Sequence, residues 1–278
     1  MGWKLHKSII IGLVVLLVLQ PPLSLAFQKK VLFLEIKLPQ DHVFSSITTV
    51  KEYFFTRTVP DGQKVRINAL YYDPIGQQKG TVFYLHGTLG NMETQEKHIR
   101  EFVKLGYAVF TYDYRSYGKS KGVIGSEEDF HNDAAYMFRE FLSISRLSED
   151  QVVIAGRSLG TGLAVPLAAK FYPKSLILIS PYWQMTDVAK RFMPLMPRPL
   201  IEKNLKYNFR SDLRIQEVKC PVYIFHGTLD EVIPFRSGKK FEPYALHHGE
   251  FVAVKGAGHL NITRFTTFQE KLYKILSY

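Results

Sequence analysis

The sequence predicts an α/β chain: a mostly parallel central sheet with helices on both faces, opened by an antiparallel hairpin. Three observations carry this. Six short, nearly continuous apolar runs ("TVFYLHG", "YAVFTYDYR", "QVVIAG", "SLILIS", "PVYIFHG", "EFVAVKG") have the pattern of strands buried on both faces. Helix-length stretches lie between most of them, which makes βαβ units. Ahead of them, "ITTVKEYFFTRT" and "KVRINALYYDP" flank Pro60-Asp61-Gly62, a turn-forming tripeptide that joins two β-rich runs.

The first residues read differently. Lys4 and Lys7 precede an apolar run from Ile9 to Leu19, shorter than the roughly 20 residues that a spanning helix needs. Ser24-Leu25-Ala26 offers a signal-peptidase site, while counting on to Phe27, before Lys29-Lys30, gives enough length for an uncleaved signal anchor. Residues 1–27 are therefore expected to be a signal anchor or a signal peptide. In either case residues 28–278 form a domain outside the cytoplasm, tethered or released.

Within that domain the helices are expected at about Glu93–Lys104, Ser126–Leu142, Ser158–Phe171, Pro234–Ala245 and Ile262–Leu276. The stretch from Tyr182 to Val218 breaks the alternation: it holds three prolines, many aromatic and basic residues, and no strand pattern. Such an excursion, at the sheet edge where open α/β sheets bind ligands, is expected to be a short lid insert.

Composition sets outer limits. The chain has 278 residues, 46% hydrophobic and 22% charged, which fits one globular α/β domain. The formal charge of +11 is spread along the chain among acids, a pattern that does not point to nucleic acid. Cys220 is the only cysteine, so no intrachain disulfide can form, and "EVKCPVYIF" sets it as a small buried hydrophobe.

The chemistry starts at "VVIAGRSLGTG". Gly156-Arg157-Ser158-Leu159-Gly160 matches G-x-S-x-G between a buried strand and a helix, where that motif lifts a serine on a strained turn. Gly156 and Gly160 are required because side chains there would strike the adjoining strand and helix. Two rival motifs fail. Ser158 and Thr161 occupy glycine places of a dinucleotide fingerprint, and Asp113 stands where a phosphate loop ending in Gly118-Lys119-Ser120 needs its first glycine.

A serine hydroxyl needs a base, and the base an orienting carboxylate, in the chain order Ser, Asp or Glu, His. Of nine histidines, only His247, His248 and His259 follow a plausible acid. His247 and His248 precede the strand "EFVAVKG" and sit at its wrong end, whereas His259 in "KGAGHLNIT" follows it, so His259 is the expected base. Asp230, which ends the strand of "PVYIFHGTLDEV", is the expected acid, with Glu231 as fallback. The oxyanion is expected to be held by the N–H of Leu159 and that of Thr88, in the loop His86-Gly87-Thr88 where Gly87 frees the backbone. His86 is expected to brace that loop, and His226 in the second "HGT" to end a strand.

The segments "YLHGTLGN", "YDYRSYGKSKG", "GRSLGTG", "CPVYIFHGTLDEVIPF" and "GAGHLN" resemble the α/β-hydrolase superfamily, and within it the membrane-anchored α/β-hydrolase-domain proteins grouped with serine aminopeptidase-like hydrolases. "FQKKVLF" is similar to the post-anchor sequence of that group. The resemblance implies an α/β-hydrolase fold and a serine hydrolase acting on lipid or acyl esters or thioesters (EC 3.1 rather than EC 3.4), with no metal or organic cofactor. The aromatic and methionine residues of the insert suit an apolar acyl chain. The rivals are an aminopeptidase or amidase with the same triad, and a catalytically silent binding protein on this fold. Oligomeric state is left open.

Overall fold

A computed structural model describes residues 28–60, 62–245 and 249–277. The expected signal anchor, Asp61 of the hairpin turn, His247 and His248 lie outside the described residues. Among the described residues no helix is long and apolar enough to cross a membrane.

The main sheet has eight strands: β2 (Val50–Thr58), β3 (Lys64–Tyr72), β4 (Gly80–Leu85), β6 (Tyr107–Tyr112), β7 (Val152–Arg157), β8 (Ser175–Ile179), β9 (Val222–Gly227) and β10 (Glu250–Val254), in the order β10-β9-β8-β7-β4-β6-β3-β2. Contacts from β6 through β4 to β10 are all parallel, while β2–β3 and β3–β6 are antiparallel. The expected mostly parallel sheet with an N-terminal hairpin is thus present. β4, β6, β7 and β8 are buried throughout apart from Gly80, as their unbroken apolar runs require, whereas the edge strand β2 alternates exposed and half-buried positions.

Helices α1 (Met92–Val103), α2 (Glu127–Ser145), α3 (Thr161–Phe171) and α8 (Thr266–Leu276) cover the faces. Asn91 and Ser126 start α1 and α2 with capping boxes. One apolar core lies under α2 and α3, with Phe83, Phe110, Phe138 and Leu163; the other lies under α1 and α8, with Val82, Tyr84, Ile99 and Phe268.

Three details differ from the sequence-based expectation. The helix expected over Pro234–Ala245 is only α7 (Phe235–Lys239) and a single 3-10 turn, Glu242–Tyr244, with Pro243 inside it. The insert contains three short helices, α4 (Met185–Phe192), α5 (Arg198–Asn204) and α6 (Ser211–Arg214). A further two-stranded parallel ladder, β1 (Leu34–Glu35) with β5 (Leu89–Gly90), stands apart from the main sheet.

Candidate active site

Strand β7 ends at Arg157 and the chain turns through the 3-10 turn Ser158–Gly160 into α3. Ser158 sits at φ +52°, the left-handed region, which costs a non-glycine residue about 1–3 kcal/mol and is tolerated only where the surroundings enforce it. The two flanking glycines show the enforcement. A Cβ on Gly156 would lie 2.6 Å from the Gly160 carbonyl oxygen and 2.7 Å from Ala164 Cβ; one on Gly160 would lie 2.0 Å from the Leu85 carbonyl oxygen. The turn is pressed between the end of β4 and the first turn of α3, and only glycine fits on either side.

His259 follows β10 and its ring bridges two partners. Its Nε2 lies 3.0 Å from Ser158 Oγ, and its Nδ1 lies 2.9 Å from Asp230 Oδ2. Asp230 follows β9. Its Oδ1 accepts the N–H groups of Val232 (2.9 Å) and Ile233 (2.7 Å), which fixes the carboxylate and leaves Oδ2 for the imidazole. Burial would push the Asp230 carboxyl up, but the hydrogen bond and charge of His259, aided by the Ile233 N–H, outweigh it and hold the carboxyl below its usual range. Glu231, the fallback acid, does something else: its Oε2 accepts the backbone N–H of His259 at 3.1 Å and so pins the loop, not the ring.

The loop His86-Gly87-Thr88 after β4 lies against the serine. A Cβ on Gly87 would be 3.4 Å from Ser158 Cβ. Two tyrosine hydroxyls hold this loop by its carbonyls, Tyr114 donating to His86 O at 2.7 Å and Tyr117 donating to Thr88 O at 3.0 Å. His86 is fully buried, with Nδ1 2.7 Å from Gly87 O, and burial depresses its pKa to about 4. Its Nε2 is 3.5 Å from Asp113 Oδ1, and burial raises the Asp113 carboxyl to about 8. The pair is therefore neutral at pH 7 and braces the loop as an imidazole beside a carboxylic acid rather than as an ion pair. His226 is buried with Nε2 3.1 Å from Ile233 O, at the end of β9.

Other residues at the site carry no motif signal. Arg157, 3% exposed, donates from Nη2 to the His259 carbonyl at 2.8 Å. Asp187 gathers Arg198 Nη1 (2.9 Å), Ser237 Oγ (2.8 Å) and Lys240 Nζ (2.8 Å), tying α4 to α5 and α7. Tyr182 donates to Leu159 O at 3.2 Å, and the same hydroxyl would lie 2.1 Å from a Cβ on Gly162, so the insert is seated on the serine turn. Of the insert's apolar residues, Tyr182, Met185, Tyr207 and Phe209 are core packing, while Phe192 is 66% exposed. The rejected phosphate-loop residues are structural: Lys119 Nζ pairs with Glu52 at 2.9 Å and Ser120 Oγ donates to Asp113 O. Among the described residues no group of acidic, histidine or cysteine side chains could hold a metal ion, and Cys220 is buried.

A family model described as "Serine aminopeptidase, S33" matches residues 76–211. The esterase PF2001 of Pyrococcus furiosus superposes with a TM-score of 0.66 at 18% identity, covering 88% of this chain and 96% of that one. The chain has the α/β-hydrolase fold. An α/β-hydrolase from Vibrio vulnificus superposes with a TM-score of 0.65 at 20% identity, over 81% of this chain and 80% of its own. By sequence, the chain is 31% identical over 189 residues to the lysophosphatidylserine lipase ABHD12 of Macaca fascicularis, 61% of this chain and 46% of the relative. It is 29% identical over 231 residues to the human α/β-hydrolase domain-containing protein 17C, 82% of this chain and 66% of the relative. The chain thus spans about half the length of the ABHD12 relative it matches.

Proposed function

We propose that this chain belongs to the α/β-hydrolase superfamily and is a serine hydrolase that cleaves carboxylic esters or thioesters of lipid or acyl type through an acyl-enzyme. One observation carries the reading: His259 lies within hydrogen-bond reach of Ser158 Oγ on one ring nitrogen and Asp230 on the other. In the proposed reaction His259 Nε2 takes the Ser158 proton as Oγ attacks the carbonyl carbon. The N–H groups of Leu159 and Thr88 receive the oxyanion, with Gly87, Gly156 and Gly160 giving the backbone its approach. Collapse expels the alcohol or thiol, which leaves with the proton from His259. Water, deprotonated by His259, then attacks the acyl-enzyme and releases the acid.

The relatives' names support the substrate class, since an ABHD12 relative is a lysophosphatidylserine lipase and a structural neighbour is an esterase. The family model's description favours an aminopeptidase instead. That reading needs a free carboxylate to receive a substrate amine. In the insert Asp187 pairs with Arg198 and Lys240, Glu202 with Arg198, Asp212 with Arg210, and Glu217 with Arg214, so all four acids are already engaged. We further propose that residues 1–27 hold the hydrolase domain (28–278, insert about 182–218) at a membrane, outside the cytoplasm.

A fluorophosphonate probe should label the wild type and fail to label Ser158→Ala. An unlabelled wild type would favour a silent binding protein. Turnover of p-nitrophenyl esters of increasing chain length should exceed that of aminoacyl amides, and the reverse order would move the substrate class to amides.

A further inference from the structure

The segment from Gln28 to Leu38 does not belong to the main sheet, yet it touches both the insert and the loop after β4. At its start, Gln28 grips the insert: its side-chain amide donates to Asn204 O at 2.8 Å and accepts from Lys206 N at 2.9 Å. Phe33 is buried between the insert and α2, 4.9 Å from the Tyr207 ring and 5.0 Å from the Phe130 ring. Next, Leu34 and Glu35 pair with Leu89 and Gly90, directly after Thr88. Ile36 N donates to Gly90 O at 3.0 Å, and Ile36 O accepts from Asn91 Nδ2 at 3.2 Å. The Thr88 hydroxyl donates to Leu32 O, and Leu34 N lies 3.4 Å from the same hydroxyl oxygen. Leu38 N then closes on Gly118 O at 2.9 Å, beside the tyrosine that holds the Thr88 carbonyl.

We infer that Gln28–Leu38 is a strap that positions the oxyanion loop and the insert together, with the Thr88 hydroxyl and the Gln28 amide among its fastenings. The inference rests on the serine-hydrolase reading, in which the Thr88 N–H receives the oxyanion. A backbone donor contributes to catalysis only if its direction is fixed before charge develops. Tyr117 holds Thr88 through its carbonyl and lies 3.3 Å from its hydroxyl, and the same hydroxyl donates to the strap at Leu32 O. The loop is short and contains glycines at 87 and 90, the latter at φ +89°, so it has little stiffness of its own. The strap adds its constraint to those of Tyr114 and Tyr117. Gln28 directly follows residues 1–27, the segment proposed to hold the domain at a membrane.

Thr88→Val keeps the backbone donor and the branched side chain while removing the hydroxyl. In the full chain, Thr88→Val should lower kcat on a soluble p-nitrophenyl ester about 10-fold, leave KM within about 2-fold, and weaken inhibition by a trifluoromethyl ketone in step with kcat. Thr88→Ser should restore kcat to within about 3-fold, which a loss of packing alone would not do. Gln28→Ala, remote from the reacting atoms, should speed amide exchange in both 198–207 and 88–91. Unchanged kcat in Thr88→Val, or exchange in Gln28→Ala confined to the insert, would overturn the strap. Should Thr88→Val fail to fold, the Gln28→Ala exchange decides. An unlabelled wild type in the fluorophosphonate assay sinks the serine-hydrolase reading instead, and amide exchange at 88–91 still tests the strap.

Discussion

The guanidinium of Arg157 donates to the backbone carbonyl of His259 at 2.8 Å, so the side chain just before Ser158 holds the loop that carries the imidazole. Arg157 is almost fully buried and has no carboxylate within ion-pair distance among the described residues. Its Nε finds no hydrogen-bond partner, and burial pulls its pKa below the usual guanidinium value while leaving it charged at neutral pH. A buried cation with so little compensation weighs on stability. Arg157→Met should therefore change the melting free energy by less than about 2 kcal/mol while lowering kcat/KM by about 10-fold or more, through a wandering His259 loop. Denaturant melts and steady-state kinetics on one ester separate the two effects. A large loss of stability with unchanged turnover of the folded fraction would make Arg157 a core residue only.

The His86–Asp113 pair makes a prediction with a definite sign. Asp113 in the folded chain titrates near about 8, far above its ordinary value of 3.8, because burial disfavours the carboxylate. The folded state therefore keeps a proton that the unfolded chain has lost, and this contribution to stability is present at acid pH and is lost as pH rises toward 8. His86 acts oppositely: its pKa is depressed from 6.5 to about 4, so the unfolded chain binds the extra proton as pH falls from 6.5 to 4. Between those values the two slopes cancel. Asp113→Asn keeps a carbonyl to accept the Met92 N–H (2.8 Å in the wild type) and removes only the Asp113 slope. Relative to wild type, it should gain stability with rising pH by about 1 kcal/mol per unit between pH 4 and 8. Denaturant melts across that range check it, and a difference that is flat or of opposite sign would mean Asp113 is ionised in the fold.

What the sequence made legible follows from what a linear pattern can encode. The buried strands, the glycines around Ser158 and the positions of Asp230 and His259 after β9 and β10 all depend on local composition and on the strand-end rule. The residues that sequence reasoning passed over act through contacts between distant segments. Arg157 reaches His259, Asp187 reaches Ser237 and Lys240, and Gln28 reaches Asn204. Arg157 in the variable place of the motif was the one available signal, since a charged residue ending a buried strand must find a partner. The shortening of the helix after Pro234 was also visible in principle, because Pro243 cannot continue a helix begun at Phe235. The β1–β5 ladder gave no signal: two-residue strands have no period to detect.

The glycines beside Ser158 are limited by space rather than by their own dihedral angles. A Cβ at Gly160 would meet the Leu85 carbonyl oxygen at 2.0 Å, and backbone there cannot rotate away as a side chain could. Gly160→Ala must push the end of β4 outward, and with it the His86-Gly87-Thr88 loop. It should cost about 3 kcal/mol or more and abolish fluorophosphonate labelling in whatever fraction folds. Gly76→Ala is the control: φ is +78° but nothing lies within 4 Å, so the cost should stay near about 1 kcal/mol with labelling intact. Equal costs at the two positions would refute the steric account.

Asp187 ties the insert to α7. Burial works against its charge, but the hydrogen bonds of Lys240 and Ser237 and the contact with Arg198 overcome this and hold its carboxyl below the usual value. Its contribution is therefore present at neutral pH and is lost as pH falls through that lowered value. Arg198 and Lys240 are each about two-fifths exposed, so solvent screens both pairs and the loss on Asp187→Ala is set at about 1–2 kcal/mol rather than the larger cost of breaking a dry ion pair. Because Asp187 joins α4 to α5 and α7 and makes no hydrogen bond to Ser158, His259 or Asp230, its removal should loosen the insert and spare those three residues. Amide exchange in 185–204 should quicken while turnover of a short soluble ester stays within about 3-fold of wild type. A collapse of short-ester turnover with unaltered exchange would mean that Asp187 shapes the Ser158–His259–Asp230 geometry itself, and that the insert is held by other contacts.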